Sequence, residues 1–462
     1  MEHLPVHEVL TRPEDQWFDR KSFQTKPKDL AKAFVGFANA EGGVIAWGVR
    51  DREAQGLPTT AQDNALRQAA LELTDPTVEV RWEILKTTTP SGEPAQIFLL
   101  SVTPGPRVHY LTNGECWLRA GDETRQLKNF EDIQELAYSK GERTHDSTGV
   151  PRTDMADLSH TALENYANTI GSRSPEDALK ARHLLTHKGD ATVGAILMFG
   201  NDPQGFFPHA TVRVLKWREK NRGAGRNQLL EADRHFEGPL PTQVEEARQY
   251  ILSLLPHASR LGESGKFIHE PVVPTDAWLE GLVNAVIHRS YSLTGDHIRF
   301  EIFPDRIEIT NPGRFPGLAD PRRPESISRF ARNPTIARVA SELRIGQELG
   351  EGIRRIFSEM RAVGFSDPAY TQTNGTVTLT LNTTHRISEQ QLAFLPTGAA
   401  TVLAAMQRIG SPLSTGDIAE LVKMSRPSAR NALNALRDAE LVEWHGQSPR
   451  DPRATWRLRD AL

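Results

Sequence analysis

Apolar and polar positions along the chain follow two rhythms, a period near two that marks strands and one near 3.6 that marks helices. Both occur in the first 140 residues. Trp17–Phe23 reads as a strand, Lys28–Ala40 as a helix, and Gly42–Val49 as a buried strand entered through a glycine turn. A polar stretch, Lys140–Arg152, holds Gly, Ser, Thr and Pro151 and reads as a linker. A second region, 153–385, opens with helices and an αβ lead-in that includes Ala191–Phe199. In it, Trp278–Tyr291 is apolar-periodic and helical, and Ile298–Gly313 alternates like a hairpin ending in an Asn311-Pro-Gly313 turn. Glu348–Ile356 then runs from a glycine pair into another helix. The pattern loosens near 386–399, and residues 398–462 form a compact helical unit closed by a hairpin. No internal repeat is visible. The reading is an α+β multidomain chain with units at 1–140, 153–385 and 398–462.

Bulk properties narrow the function classes. A chain of 462 residues accommodates roughly three domains, each able to bury a core. The net charge of −4 carries no global nucleic-acid signature, so any such binding must come from local patches. The single cysteine, Cys116, excludes an internal disulfide and suits a reducing compartment. No apolar run is long enough to span a bilayer and no signal-peptide core is present, so the expected location is the cytoplasm.

The candidate chemistry is concentrated in the middle region. Glu280, Asn284 and His288 recur every four residues, which lines a carboxylate, an amide and an imidazole along one helical face. A carboxylate can accept a proton, and an amide oxygen is a hard ligand for Mg²⁺. Gly350 and Gly352 allow backbone N–H groups to approach a phosphate at the positive end of a helix. The loop Lys216–Arg226 is locally basic with one tryptophan, equally a nucleic-acid contact or a solvated hairpin tip.

Helix, hairpin and glycine pair in this order resemble the ATP-binding site of the GHKL ATPases, a Bergerat-like α/β sandwich. The resemblance implies that Glu280 orients or deprotonates the attacking water and that Asn284 holds the metal. His288, Arg289, Asn311, Gly313, Gly350 and Gly352 complete the expected ATP and Mg²⁺ contacts. Where that family has Asp-x-Gly-x-Gly, this chain has Asn311-Pro-Gly313.

In the first unit, Glu14, Asp19, Lys21, Phe37-Ala-Asn-Ala-Glu-Gly-Gly43, His109-Tyr110 and Trp117-Leu-Arg-Ala-Gly121 resemble the AlbA/Schlafen-type domain. That resemblance implies nucleic-acid binding, with Lys21, Arg50, Arg119 and Arg125 as phosphate contacts. It also implies, as the enzymatic alternative, a metal-dependent endoribonuclease using Glu14, Asp19 and Asp51 in stress or phage defence. The competing reading makes Asp19 a partner for Lys21.

In the last unit, Ser425 caps the helix Arg426–Arg437, which follows two shorter helices and precedes a hairpin whose tip carries Arg450 and Arg453. This resembles a winged helix-turn-helix. Ser425, Arg426, Ser428, Arg430, Asn431 and Asn434 would then meet DNA, with a dimerisation role as the alternative. The three parts together resemble a group of bacterial and archaeal transcriptional regulators, some described as RecG-helicase-like. No phosphate loop of the Gly-x-x-x-x-Gly-Lys-Ser/Thr kind is present to support a motor. The expected partners are DNA in preference to RNA, a nucleotide and no membrane, with self-association as a further possibility.

Overall fold

The computed structural model describes residues 4–223, 228–261, 267–315, 320–326, 330–345, 351–373, 375–383, 395–396, 398–409, 412–439, 441–446, 451 and 454–458. Gly350, Arg450 and Arg453 lie outside them.

The N-terminal unit forms around the helix Pro27–Asn39, which has proline in its first turn and buries Leu30, Phe34 and Phe37 on one stripe. This helix connects the strands Phe18–Lys21 and Gly43–Trp47, which pair in parallel with Phe18 opposite Val44. Parallel pairing needs such a crossover. Gly43 is obligatory here, because a Cβ would meet the Phe37 ring and the Trp17 carbonyl. Pro94–Val102 and Val80–Thr88 extend the sheet antiparallel, leaving Val80–Thr88 at its edge. A second sheet runs in the order Glu123–Leu127, Cys116–Ala120, Tyr110–Leu111, Thr74–Asp75. Trp47 lies edge-on to Phe23 and Phe98 at 4.7 and 5.5 Å between centroids.

The stretch expected to be a linker is docked instead. Asp146 is fully buried, and its carboxylate accepts the backbone N–H groups of Thr335 and Ile336 at 2.7 and 3.1 Å. It therefore satisfies the open end of the helix Pro334–Glu342. Polar composition suggested solvent, but the polar group is consumed by a distant helix terminus.

The central unit is a six-stranded mixed sheet in the order Leu230–Phe236, Val212–Trp217, Ile298–Ile302, Arg306–Pro312, Thr376–Asn382, Ala369–Thr373. The predicted hairpin is present, with Ile302 opposite Ile307. Asn311 and Pro312 are not its turn, however. They continue the strand opposite Val377 and Thr376, and the chain bends at Gly313, where φ is +118°. Helices Leu240–Leu254 and Thr275–His288 pack on the sheet. Gly281 sets the closeness of the second, since a Cβ would stand 2.7 Å from Ile309 and 2.8 Å from Leu379.

The C-terminal unit has helices Ala399–Ile409, Thr415–Leu421 and Arg426–Asp438, then the antiparallel strands Val442–His445 and Thr455–Leu458. Ala429, Ala432, Leu433 and Leu436 face its core, together with Val402, Ile418 and Trp456. Among the described residues no helix is long and apolar enough to cross a membrane.

Candidate nucleotide site and its junction with the N-terminal unit

The helix Thr275–His288 buries Trp278, Leu282, Val283 and Val286, which turns Glu280 and Asn284 to its half-buried flank. Asn284 Nδ2 donates to Glu280 Oε1 at 3.1 Å. Both side chains meet the first residue of the helix Gly352–Ala362, where a Cβ on Gly352 would overlap the Glu280 carboxylate and approach Asn284 Nδ2 to 3.2 Å. Burial pushes the Glu280 carboxyl above its ordinary range, against the opposing pull of Asn284 and Arg355. Arg355 is held by Asp276 across the two helices. Burial, with a smaller contribution from the Glu280 charge, pushes the Tyr370 hydroxyl up as well. A carboxylate, an amide and a helix N-terminus thus converge at one place.

His288 belongs to a different neighbourhood, two helical turns from Glu280. Burial and the adjacent Arg332 guanidinium push its imidazole down to about 4, and its Nδ1 is buried without a hydrogen-bond partner. Asn333 closes the helix by donating Nδ2 to the carbonyls of Ile287 and Arg289, each at 2.8 Å. Arg289, expected at the nucleotide, is turned inward. It is 2% exposed, lies over the Tyr291 ring and donates to the carbonyls of Ser290, Leu293 and Asp296. Its charge organises the loop after the helix. Asn311 lies in its strand with a buried, unpaired Oδ1, and Gly313 packs against Arg332 and Ser290.

From this end of the helix a polar network crosses to the N-terminal unit. Glu135 accepts from Ser290 Oγ at 2.6 Å, from Ser292 and from Arg332 Nη1 at 3.0 Å. Arg332 also holds the Arg314 carbonyl. Arg314 and Gln372 both donate to Glu41, whose other oxygen takes Gln16 Nε2 at 2.8 Å. Arg322 lies over the Trp17 ring at 4.6 Å. Composition gave no sign of this network. The one available hint was Glu41 itself, a charged residue inside the Asn39-Ala-Glu-Gly-Gly43 signature. Nearby, Lys140 is buried with its ammonium on the carbonyls of Ala38 and Gly105 at 2.9 and 2.6 Å, and burial brings it down to about 8.

Two of the three proposed acids of the N-terminal unit, Glu14 and Asp19, share one donor, the Arg20 backbone N–H, at 3.3 and 2.8 Å, but the third does not join them. Asp19 is 1% exposed and pairs with Lys21 at 2.7 Å and Arg119 at 3.3 Å. Arg119 is equally buried, donates to the Asp15 and Phe18 carbonyls and stacks on Phe37. It is a structural cation rather than a phosphate contact. Glu14 leans towards Arg20, and Asp51 stands in solvent beside Arg50. Among the described residues no group of three or more His, Cys, Asp or Glu side chains is placed to hold a metal ion. Arg50 and Arg125 remain on the surface, Arg125 beside Glu123. In the C-terminal unit Ser425 Oγ accepts from Ser428 N at 3.2 Å, Arg426, Ser428, Arg430 and Asn431 are exposed, and Asn434 is half-buried.

Comparison with known proteins bears on two of the three units. Residues 14–128 match the family model "Schlafen, AlbA_2", and residues 295–381 match "Putative ATP-dependent DNA helicase recG C-terminal". No curated protein matches the chain. Among solved structures, the crystal structure of the DIP2311 protein from Corynebacterium diphtheriae is 18% identical, over 98% of this chain and 96% of that one, with a TM-score of 0.44. The two family matches fall on the segments that carry the Phe-Ala-Asn-Ala-Glu-Gly-Gly signature and the hairpin of the central sheet. The chain therefore joins a Schlafen AlbA_2-type domain to a segment of the RecG C-terminal, ATPase-like family.

Proposed function

We propose that this protein is a nucleic-acid-binding regulator whose central unit binds Mg-ATP between the helices Thr275–His288 and Gly352–Ala362. The observation that carries this reading is the seating of Gly352 directly on Glu280 and Asn284. The residues fit the ligand. Asn284 spends its N–H on Glu280, which leaves its carbonyl oxygen for a hard cation. Mg²⁺ keeps waters and phosphate oxygens in its shell, so one or two protein ligands suffice, and when bound it would offset the phosphate charge. The N-terminus of the helix Gly352–Ala362 favours an anion. Glu280, whose carboxyl burial pushes above its ordinary range, can accept a proton from water or simply orient it.

Nucleic acid is assigned to the flanking units. The C-terminal helix Arg426–Asp438 presents Arg and Asn side chains on the face opposite its buried leucines, as the reading helix of a winged helix-turn-helix does. Central occupancy would reach the AlbA_2-type unit through Glu135, Arg332, Arg314 and Glu41, because these join the same helix end and strand bend to it.

The test is fluorescence anisotropy on labelled duplex DNA at fixed salt, with and without Mg-ATP. The affinity should change at least fivefold on adding nucleotide, and Asn284→Ala should remove that response while leaving nucleotide-free binding intact. No response in the wild type, or the same response in the variant, contradicts the reading.

A further inference from the structure

The strand Val80–Thr88 forms an edge of its sheet, and Pro94–Val102 is its one partner strand among the described residues. Native sheet edges are usually blunted or covered. This one is nine residues long and carries Trp82 and Ile84, 45% and 44% exposed, on one face. The Arg67 guanidinium stands over Trp82, and Leu71, one helical turn further along, is 67% exposed.

Backbone geometry fixes which groups the edge offers. Thr89 N donates to Glu93 O at the hairpin end, so odd-numbered residues turn their N–H and C=O towards Pro94–Val102. By alternation, Val80, Trp82, Ile84 and Lys86 turn theirs outward. We infer that this edge pairs antiparallel with the same strand of a second copy, about a two-fold axis at Trp82.

Charge selects the register. Centring on Trp82 sets Val80 opposite Ile84 and Trp82 opposite its own copy, all with outward-facing backbone groups. In the same register Arg81 stands opposite Glu83, and symmetry makes that ion pair twice. A shift to a centre at Glu83 would oppose two carboxylates at the closest approach of the strands. The present partner of Arg81, Glu79, is an exposed neighbour two residues away, so Arg81 can exchange it without leaving a buried charge. A second copy is the occupant that supplies both the matching edge and the complementary charges.

The experiment is sedimentation equilibrium of the full chain over a micromolar range, with thermal melting to verify folding. The wild type should show twice the 51.5 kDa chain mass. Arg81→Glu turns two attractive pairs into two repulsive ones and should weaken self-association at least tenfold. Adding Glu83→Arg to it restores complementarity and should restore the dimer. Glu83→Arg alone reads the same register should Arg81→Glu fail to fold. A monomeric wild type, a dimer indifferent to either charge reversal, or a double variant that stays monomeric would overturn the assignment.

Discussion

Glu280, Asn284 and His288 share one helical flank, yet their chemistry is set by what stands beyond it. The first two meet an uncharged helix start at Gly352, whereas His288 meets the Arg332 guanidinium. The consequence for His288 is a folded-state pKa of about 4, below the ordinary 6.5. Between those values the unfolded chain takes up a proton that the folded chain refuses, so this contribution to stability is lost as pH falls from 6.5 towards 4. Removing the imidazole by His288→Gln should therefore make the central unit less acid-sensitive. The expected gain is roughly 2 kcal/mol in the difference between pH 7 and pH 5, measured by urea unfolding. An identical pH dependence in both proteins would show that His288 takes its proton equally well in the folded state. The sequence made the row of three visible, because helical period is a local property. It could not separate the roles of Arg289 and Arg119 from those of surface arginines. A buried guanidinium on backbone carbonyls and a solvated one on phosphate are written with the same letter, and only long-range contacts tell them apart.

At the scale of elements, the helices and hairpins were legible wherever periodicity and caps coincide. Ser425 before Arg426-Pro427 announces the last long helix, and Ser425 Oγ does accept the Ser428 N–H. What stayed hidden were polar groups consumed at a distance. Asp146 caps a helix nearly 190 residues further on, and that made a docked segment read as a linker. Burial pushes its carboxyl up to about 6 in spite of those two donors. For the helix Arg426–Asp438, the exposed position of Arg430 and the half-buried one of Asn434 lead to a separate expectation. If this element reads DNA, Arg430→Ala should cost roughly 1–3 kcal/mol in specific binding and relax sequence preference, with folding unchanged. Equal loss on specific and non-specific DNA would make Arg430 a backbone contact, and no loss would remove this helix from the interface.

Across the whole molecule, the network from Ser290 and Arg332 through Glu135 and Arg314 to Glu41 ties the end of the site helix to the N-terminal unit. Arg332 is 2% exposed, so removing its main carboxylate leaves a buried charge poorly compensated. Glu135→Gln should thus loosen the junction and reduce any effect of nucleotide on nucleic-acid affinity, while nucleotide binding itself persists. Loss of both together would make Glu135 part of the nucleotide site rather than of its connection. All of this depends on the central unit taking a nucleotide where Glu280, Asn284 and Gly352 meet. The most direct measurement is calorimetric titration of Mg-ATP into the wild type and into Asn284→Ala and Gly352→Ala. The account predicts saturable heat with one site per chain in the wild type and at least tenfold weaker binding in each variant, with an unchanged melting temperature in Asn284→Ala. No heat in the wild type, or equal affinity in all three proteins, would contradict it.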